Sequence, residues 1–228
     1  YYHMSGGIRA LHVLRDELRA RGHTAHMTYE HPADPESILI YPEIVGSNPD
    51  NHPRFVRWLL NTAIFPDDPC WGWEENLGAD RLLTVNVIEP DLWKDRGRTR
   101  SGVAYWVGKG VIDTSLIPEG AQEISRSNWP DRSELANYVA GLDHLISFDP
   151  FTSVVPEALI SGTPVLIHAS KSGKGEQKWM PYGVAWGDSE MEWARLTIGM
   201  ARQHYLQMLP VFDQRIDSFI HDTQEMFP

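Results

Sequence analysis

The sequence has few cysteines, few long apolar runs and little positive charge, and each shortage excludes a class of protein. A single cysteine, Cys70, in 228 residues allows no intramolecular disulfide and no cysteine-rich metal cluster. No apolar run reaches the roughly 18 residues that a membrane-spanning helix needs, and no segment near the start resembles a signal peptide. We therefore expect a cytoplasmic protein without a membrane span.

Positive charge is scarce, since 20 lysines and arginines stand against 31 aspartates and glutamates, for a formal net charge of −11. Binding of nucleic acid over the whole surface would need many clustered basic residues, so the composition argues against it and leaves only local basic patches. The chain also lacks internal repeats, which excludes solenoids and propellers. Its 42% hydrophobic and 11% aromatic residues are enough for a sizeable core.

Apolar residues alternate between helical and strand spacing, which predicts an α/β fold. In the first half the patterns predict a helix over 8–21, strands over 23–29, 37–41 and 81–87, and a helix around 54–60. In the second half they predict strands over 103–107, 144–148 and 164–168, helices over 131–140 and 154–160, and two terminal helices divided at Pro210. Two such sets predict two Rossmann-like halves that face each other across a cleft.

Residues 89–102 combine prolines, glycines and basic side chains, and we interpret them as the junction between the halves. The predicted domains are residues 1–92 and 93–205, with a final helix over 206–228 that returns to the first domain. The first domain has room for only the last part of an opening strand before its helix.

Glycines mark three turns that could approach a ligand. Ser5, Gly6 and Gly7 open the first predicted helix, where free N–H groups favour an anion or a sugar hydroxyl, although such a turn is more often just a tight connection. Neither Gly108-Lys109-Gly110 nor the similar run at 173–175 continues with Ser or Thr, so neither is a Walker A loop.

The densest group of polar residues lies between Phe148 and Val165. A strand ends at 148, a loop carries Asp149, Thr152 and Ser153, and a helix begins near Val154 with Glu157 in its first turn. Backbone N–H groups there suit a diphosphate, and a carboxylate suits a ribose or sugar hydroxyl pair. On spacing alone, a capping residue and a favourable first-turn acid explain the same pattern.

This stretch resembles the donor-binding segment of GT-B glycosyltransferases, above all the retaining family 4. That family has an acid, seven residues, then Glu, followed by Ala-x-x-x-Gly-x-Pro-Val. The matching positions are Asp149, Glu157, Ala158, Gly162, Pro164 and Val165. The opening Gly-Gly-Ile-Arg-Ala-Leu-His and the Val-Gly-Lys-Gly run at 107–110 resemble two further blocks of the family, although the usual first Glu is Asp here.

The resemblance implies a metal-independent glycosyltransferase of hexosyl or pentosyl type whose nucleotide-diphosphate-sugar is a co-substrate, with no cofactor. It implies that Glu157 binds the ribose and Asp149 the transferred sugar. The diphosphate would contact Thr152, Ser153, Val154, Lys109 and the glycines Gly6, Gly7 and Gly108. The family's arginine before the lysine is absent, and Arg126 or Arg100 could substitute. The absence of any Asp-x-Asp disfavours the metal-dependent GT-A arrangement.

The acceptor side offers fewer signals. Glu43 follows a predicted strand and would be the general base of an inverting enzyme. A retaining enzyme would need no such base, because the diphosphate itself assists the departure of the leaving group. The simpler interpretation is that Glu43 is an acidic residue of a turn. Glu89 follows the strand over 85–88 in the same way. The tryptophans at 71 and 73 are expected in an exposed loop. His23, His26 and His31 are expected to be ordinary histidines, not metal ligands.

One specific acceptor is a hydroxymethylated base in DNA, which the basic residues Lys94, Arg96, Arg98, Arg100, Lys171, Lys174 and Lys178 would face. The alternative from another class is a non-catalytic module that binds a nucleotide-sugar without turnover. The sequence leaves both open.

Overall fold

The computed structural model describes residues 5–60, 68–125, 127–129, 131–168 and 180–228. The chain divides into two compact units. Unit 1 comprises residues 1–87 and 209–228, and unit 2 comprises residues 88–208. Each unit contains one sheet of parallel strands, so the protein is a mixed α/β protein whose two sheets are compatible with Rossmann-like halves.

Unit 1 is built on a four-stranded parallel sheet. Its elements are α1 (Gly6–Ala20), β1 (Leu39–Pro42), β2 (Phe55–Leu59), β3 (Cys70–Gly72) and β4 (Arg81–Leu82), and the strand order is β1-β2-β3-β4. Ala10 and Leu14 of α1 pack on Val56 and Trp58 of β2, because the apolar residues of α1 recur on one helix face.

Four expectations for unit 1 were wrong, and one is the strand over 81–87, of which only Arg81–Leu82 forms a strand. Residues 55–59 form a strand, not a helix, because a short run of aromatic and β-branched residues fits a central strand that is buried on both faces. Residues 23–29 form no strand; the side chain of Arg19 donates to the carbonyl oxygen of Ala25 at 2.6 Å. Trp71, expected in a loop, lies on strand β3, and its side chain is buried in the core.

Unit 2 is built on a five-stranded parallel sheet. Its strands are β5 (Val103–Trp106), β6 (Gln122–Glu123), β7 (His144–Ser147), β8 (Val165–Ile167) and β9 (Val184–Ala185), in the order β6-β5-β7-β8-β9. The helices α2 (Arg132–Val139) and α3 (Val154–Ile160) connect β6 to β7 and β7 to β8. The predicted strands over 103–107, 144–148 and 164–168 and the predicted helices over 131–140 and 154–160 are confirmed to within one residue at each end, whereas β6 and β9 were not predicted.

A single long helix, α4 (Met191–Met226), replaces the two terminal helices that Pro210 was expected to divide. Proline removes one amide donor from the helix, but buried side chains anchor the helix before and after it. Tyr205 is buried in unit 2, and Phe212 and Phe219 are buried in unit 1, where Phe219 stacks edge-on against Trp71. No helix in the described parts of the chain is long and apolar enough to cross a membrane.

Residues 89–102, expected to be a junction between the halves, belong to unit 2. Trp93 is fully buried, and Arg202 of α4 donates to the carbonyl oxygens of Pro90 and Trp93 at 2.7 and 2.9 Å. Farther along, Arg100 donates to the carbonyl oxygen of Ser161 and the hydroxyl of Thr163. The segment therefore runs along the helices of unit 2, from the edge of the sheet where the strands end to the edge where they begin.

Candidate functional site

The sheet of unit 2 has a topological switch point between β5 and β7. The chain leaves β5 toward β6 on one side and leaves β7 toward β8 on the other, so the loops after these two neighbouring strands diverge. In open parallel sheets, ligands bind where such loops separate at the carboxyl edge. The loop 107–110 follows β5 and the loop 148–153 follows β7, so the switch point is where the two predicted donor-binding motifs lie.

The glycines of the first loop are required by its packing against the second. Gly108 has a φ of 56°, which is unfavourable for residues with a side chain, and a methyl group there would overlap the Asp149 carboxylate and the Trp106 indole nitrogen. A methyl group at Gly110 would overlap the carbonyl of Phe148. The run Gly-Lys-Gly therefore allows the two loops to touch.

Asp149 joins the two loops through its carboxylate. It is buried, and its Oδ2 accepts the backbone N–H of Lys109 at 2.9 Å, while Oδ1 accepts that of Phe151 at 3.0 Å. Its carbonyl oxygen accepts the hydroxyl of Ser147 at 2.7 Å. Backbone donors thus stabilise the charged carboxylate beside the place where a ligand would bind.

The side chain of Lys109 is exposed at this edge, and within the described residues its ammonium group makes no hydrogen bond or ion pair. Thr152 Oγ1 accepts the backbone N–H of Val154 at 3.4 Å, and Ser153 precedes α3 without a side-chain cap. The loop after β5 therefore supplies a lysine, and the loop after β7 supplies hydroxyl and backbone groups. Together these groups can bind an anion.

Glu157 is also buried, in the first turn of α3, but its partner was not predicted from the sequence. Arg132 Nη2 donates to Glu157 Oε1 at 3.0 Å, and Arg132 Nη1 donates to Glu89 Oε1. The Arg132 guanidinium lies over the Trp93 ring, 5.6 Å from its centroid. The sequence did indicate where Arg132 lies. It is the first residue of a helix capped by Asp131, and a helix that follows a parallel strand begins at the carboxyl edge of the sheet.

The capping carboxylates near this edge are held in the charged form. Asp131 accepts the hydroxyl and backbone N–H of Ser133 and the backbone N–H of Glu134, and these bonds lower its pKa. Asp113, in the loop after β5, has its pKa lowered by the hydroxyl of Ser115 and by His168. Negative charge is therefore fixed on both sides of the switch point, and a ligand anion needs Lys109 or an arginine to offset it.

Of the two arginines expected to assist Lys109, Arg100 is at the opposite edge of the sheet. It donates to Ser161 and Thr163 where α3 ends and β8 is about to begin, which is the amino edge. A methyl group at Gly162, whose φ is 78°, would lie 2.6 Å from Arg100 Nη2. Arg100 therefore binds the carboxyl end of α3. Arg126 lies outside the described residues, as do the lysines at 171, 174 and 178.

In unit 1 the structure brings together the start of α1 and Glu43. Glu43 follows β1 and accepts the backbone N–H of Leu60 at 2.9 Å, and the Cδ1 atom of Leu60 lies 3.5 Å from where a Gly7 side chain would begin. Gly6 and Gly7 are the first residues of α1, and Glu43 is nearly buried. Glu43 and Leu60 follow neighbouring strands, so this group lies at the carboxyl edge of the unit 1 sheet.

No family model matches the chain, and no curated protein matches it. In the described parts of the chain, no group of three or more His, Cys, Asp or Glu side chains could hold a metal ion.

Proposed function

We propose that the chain is a GT-B-type glycosyltransferase that takes a sugar from a nucleotide-diphosphate donor, which unit 2 binds, and delivers it to an acceptor hydroxyl bound by unit 1. The observation that carries this proposal is the bond between Asp149 and the backbone of Lys109 at the switch point of unit 2. It holds the backbone of Lys109, whose side chain is exposed, against a buried carboxylate at the edge where parallel sheets bind ligands.

The two groups suit the two parts of a nucleotide-sugar. The Lys109 ammonium offsets the negative charge of the diphosphate, which increases as the diphosphate leaves. The Asp149 carboxylate accepts two backbone N–H groups, and its remaining lone pairs can accept a sugar hydroxyl beside them.

In the reaction, the bond between the anomeric carbon and the diphosphate oxygen breaks with its electron pair remaining on the diphosphate. A bond forms between the anomeric carbon and the acceptor oxygen, whose proton is lost. In a retaining reaction the departing diphosphate takes that proton. In an inverting reaction a carboxylate takes it, and Glu43 is the residue that we assign to this role.

Glu43 is suited to that role only in part, because one of its oxygens already accepts the backbone N–H of Leu60. That bond holds Oε2 against the chain, so this oxygen is not available to take the proton of an acceptor hydroxyl. We therefore favour the retaining reaction, in which Glu43 shapes the acceptor side without accepting a proton.

For DNA as the acceptor, two of the four basic residues in the described segment 94–100 bind groups of the chain itself. Arg100 binds the end of α3 and pairs with Asp95, and Arg96 donates to the carbonyl oxygen of Leu92. Lys94 and Arg98 are the exposed members of the segment. We therefore propose an acceptor hydroxyl without naming DNA, and a steep loss of activity on hydroxymethylated DNA with added salt would be the evidence for it.

The test is release of free nucleotide from UDP-, GDP- and dTDP-sugars, measured with the purified chain. We expect slow release from at least one donor, because water can replace the acceptor. Lys109→Met should lower this rate about a hundredfold, the effect of removing one group that stabilises charge in the transition state. Lys94→Met is the matched control, since it removes an exposed lysine of the same unit, and it should leave the rate unchanged.

The outcomes separate the two classes of protein. Release that depends on Lys109 supports the glycosyltransferase. Tight binding of a nucleotide-sugar without release supports a binding module. If the chain neither binds a nucleotide-sugar nor releases nucleotide from one, the proposal is wrong.

A further inference from the structure

Arg132 lies between two carboxylates that differ greatly in exposure. Its Nη2 group binds Glu157, whose side chain is 4% exposed, and its Nη1 group binds Glu89, whose side chain is 67% exposed. Arg132 itself is 11% exposed. One partner of the guanidinium is therefore part of the interior, and the other faces solvent.

The bond with Glu157 is the permanent one. A buried carboxylate is stable only when a cation or several donors compensate its charge, so the loss of Arg132 would leave Glu157 with a buried charge. The bond with Glu89 adds a second negative charge to a pair that is already balanced. Because the Glu89 side chain is 67% exposed, water can solvate it when it leaves, so Glu89 can exchange with another anion at small cost.

The position of Arg132 determines which anion that is. It begins α2, which runs from the carboxyl edge of the sheet to the amino edge, where Thr163 Oγ1 donates to the carbonyl oxygen of Val139 at 2.6 Å. Glu157 begins α3 at the same carboxyl edge, on the element that follows the Asp149 loop. Arg132 and Lys109 are therefore both at the edge that is proposed to take the donor.

The guanidinium is also held in a fixed orientation. The Trp93 ring lies beneath it and Glu157 binds one side, so the side occupied by Glu89 points in a constant direction. With Nη2 bound to Glu157, the N–H groups of Nη1 point in a fixed direction and can bind a phosphoryl oxygen as well as a carboxylate oxygen.

We infer that Arg132 is a phosphate-binding residue and that Glu89 is an internal competitor, which occupies the Nη1 side of the guanidinium until a phosphoryl group of the ligand displaces it. This inference rests on the proposed function for the class of ligand, a nucleotide diphosphate. It gives Glu157 a different role from the ribose contact that the resemblance implied, because here Glu157 is the counter-ion that positions Arg132.

The decisive variant is Glu89→Gln, which removes the competing charge from an exposed position and leaves the Arg132–Glu157 pair intact. Binding is measured by calorimetry with inorganic pyrophosphate and with UDP and GDP, at constant pH and salt. We expect up to about fivefold tighter binding of pyrophosphate and of at least one nucleotide, the effect of removing one exposed ion pair that competes with the ligand. Glu192→Gln removes an equally exposed charge from α4 of the same unit and should change neither affinity.

A second variant tests whether the gain passes through Arg132. In Arg132→Lys, which keeps a cation beside Glu157, the added Glu89→Gln change should give less than a twofold gain, because a lysine does not present the paired donors of a guanidinium. The same gain with Lys as with Arg would overturn the assignment. If Glu89→Gln binds pyrophosphate and nucleotides no more tightly than the unaltered chain, or if neither protein binds them, the inference is wrong.

The result is separable from that for the proposed function. Tighter pyrophosphate binding in Glu89→Gln, without nucleotide release from any sugar donor, would keep the phosphate site and remove the glycosyltransferase. Nucleotide release that depends on Lys109, without any effect of Glu89→Gln, would do the reverse. A gain with pyrophosphate alone identifies a site for free phosphates, and that result would overturn the nucleotide class of the ligand.

Discussion

Asp149 accepts the backbone N–H of Lys109 at 2.9 Å, although the two residues are 40 positions apart in the chain. The bond joins the loops that follow two neighbouring strands, and Gly108 lies against it with a positive φ. The lysine cation and the buried carboxylate are therefore positioned by one contact, and changes that disturb the contact should affect both stability and ligand binding.

Gly108→Ala tests the close approach of the two loops. The substitution places a methyl group against the Asp149 carboxylate and the Trp106 indole, in addition to the strain of a positive φ. We expect a loss of about 3 kcal/mol in the free energy of unfolding, measured by urea denaturation.

The control is Gly97→Ala, since Gly97 also has a positive φ, 63°, but a methyl group there meets nothing within 4 Å. It should cost about 1 kcal/mol from backbone strain alone. Equal costs for the two variants would contradict the packing argument.

Arg57→Met tests the buried arginine of unit 1. Arg57 is fully buried on β2, binds Asp68 at 2.7 Å and donates to the carbonyl oxygens of Val45 and Ser47, so its loss leaves these acceptors without their donor. We expect the free energy of unfolding to fall by about 3–5 kcal/mol. Arg54→Met is the control: its partner Glu36 is well exposed, and we expect a loss of less than about 1 kcal/mol.

The stability of unit 1 should decrease in mild acid because of His12. Burial lowers the pKa of His12 below its usual 6.5, and Arg15 adds to the effect. The unfolded chain therefore takes up a proton at a higher pH than the folded chain does. The free energy of unfolding should fall as the pH drops from 6.5 toward the lowered pKa of the folded protein, and it should be insensitive to His12 above 7.

Urea denaturation between pH 8 and 5 measures this dependence, and His12→Gln should reduce its slope. His221→Gln is the matched control, because His221 lies on the exposed face of α4 in the same unit. A slope that is unchanged in His12→Gln would exclude His12 as its source.

Arg100→Ala tests whether this arginine is structural. It donates to the carbonyl oxygen of Ser161 and to the hydroxyl of Thr163, so its removal should cost about 1–2 kcal/mol of stability. Nucleotide affinity should be unchanged, because Arg100 lies at the amino edge. Arg98→Ala, at an exposed position two residues earlier, should change stability by less than about 0.5 kcal/mol. A large loss of nucleotide affinity in Arg100→Ala would contradict this placement.

The second half of the fold could be predicted well from the sequence because its signals are local. Asp131 caps α2, and a glycine with a φ of 78°, Gly162, ends α3, so both helices begin and end close to the predicted residues. In the first half, the run 55–59 is short enough to fit either a helix or a strand. Only pairing with β1 and β3 on both sides decides that it is a strand.

Some features of the candidate site could likewise be predicted from the sequence, and others could not. The Gly-Lys-Gly loop and the Asp149 loop could be recognised from residue types and spacing, since close backbone approach needs glycine and the end of a buried strand is visible in the sequence. That Asp149 binds the Lys109 backbone could not, because the bond depends on the adjacency of β5 and β7 in a sheet whose strand order the sequence does not state.

The sequence by itself determined the class of fold, most elements of unit 2 and the two loops that meet at its switch point, because propensity, capping and apolar spacing act over a few residues. Only the tertiary structure decided the roles of the arginines. Arg100 lies at the amino edge of the sheet, and Arg132 lies at the carboxyl edge between Glu89 and Glu157. A long charged side chain is placed by partners that are distant in the chain, and packing alone brings those partners together.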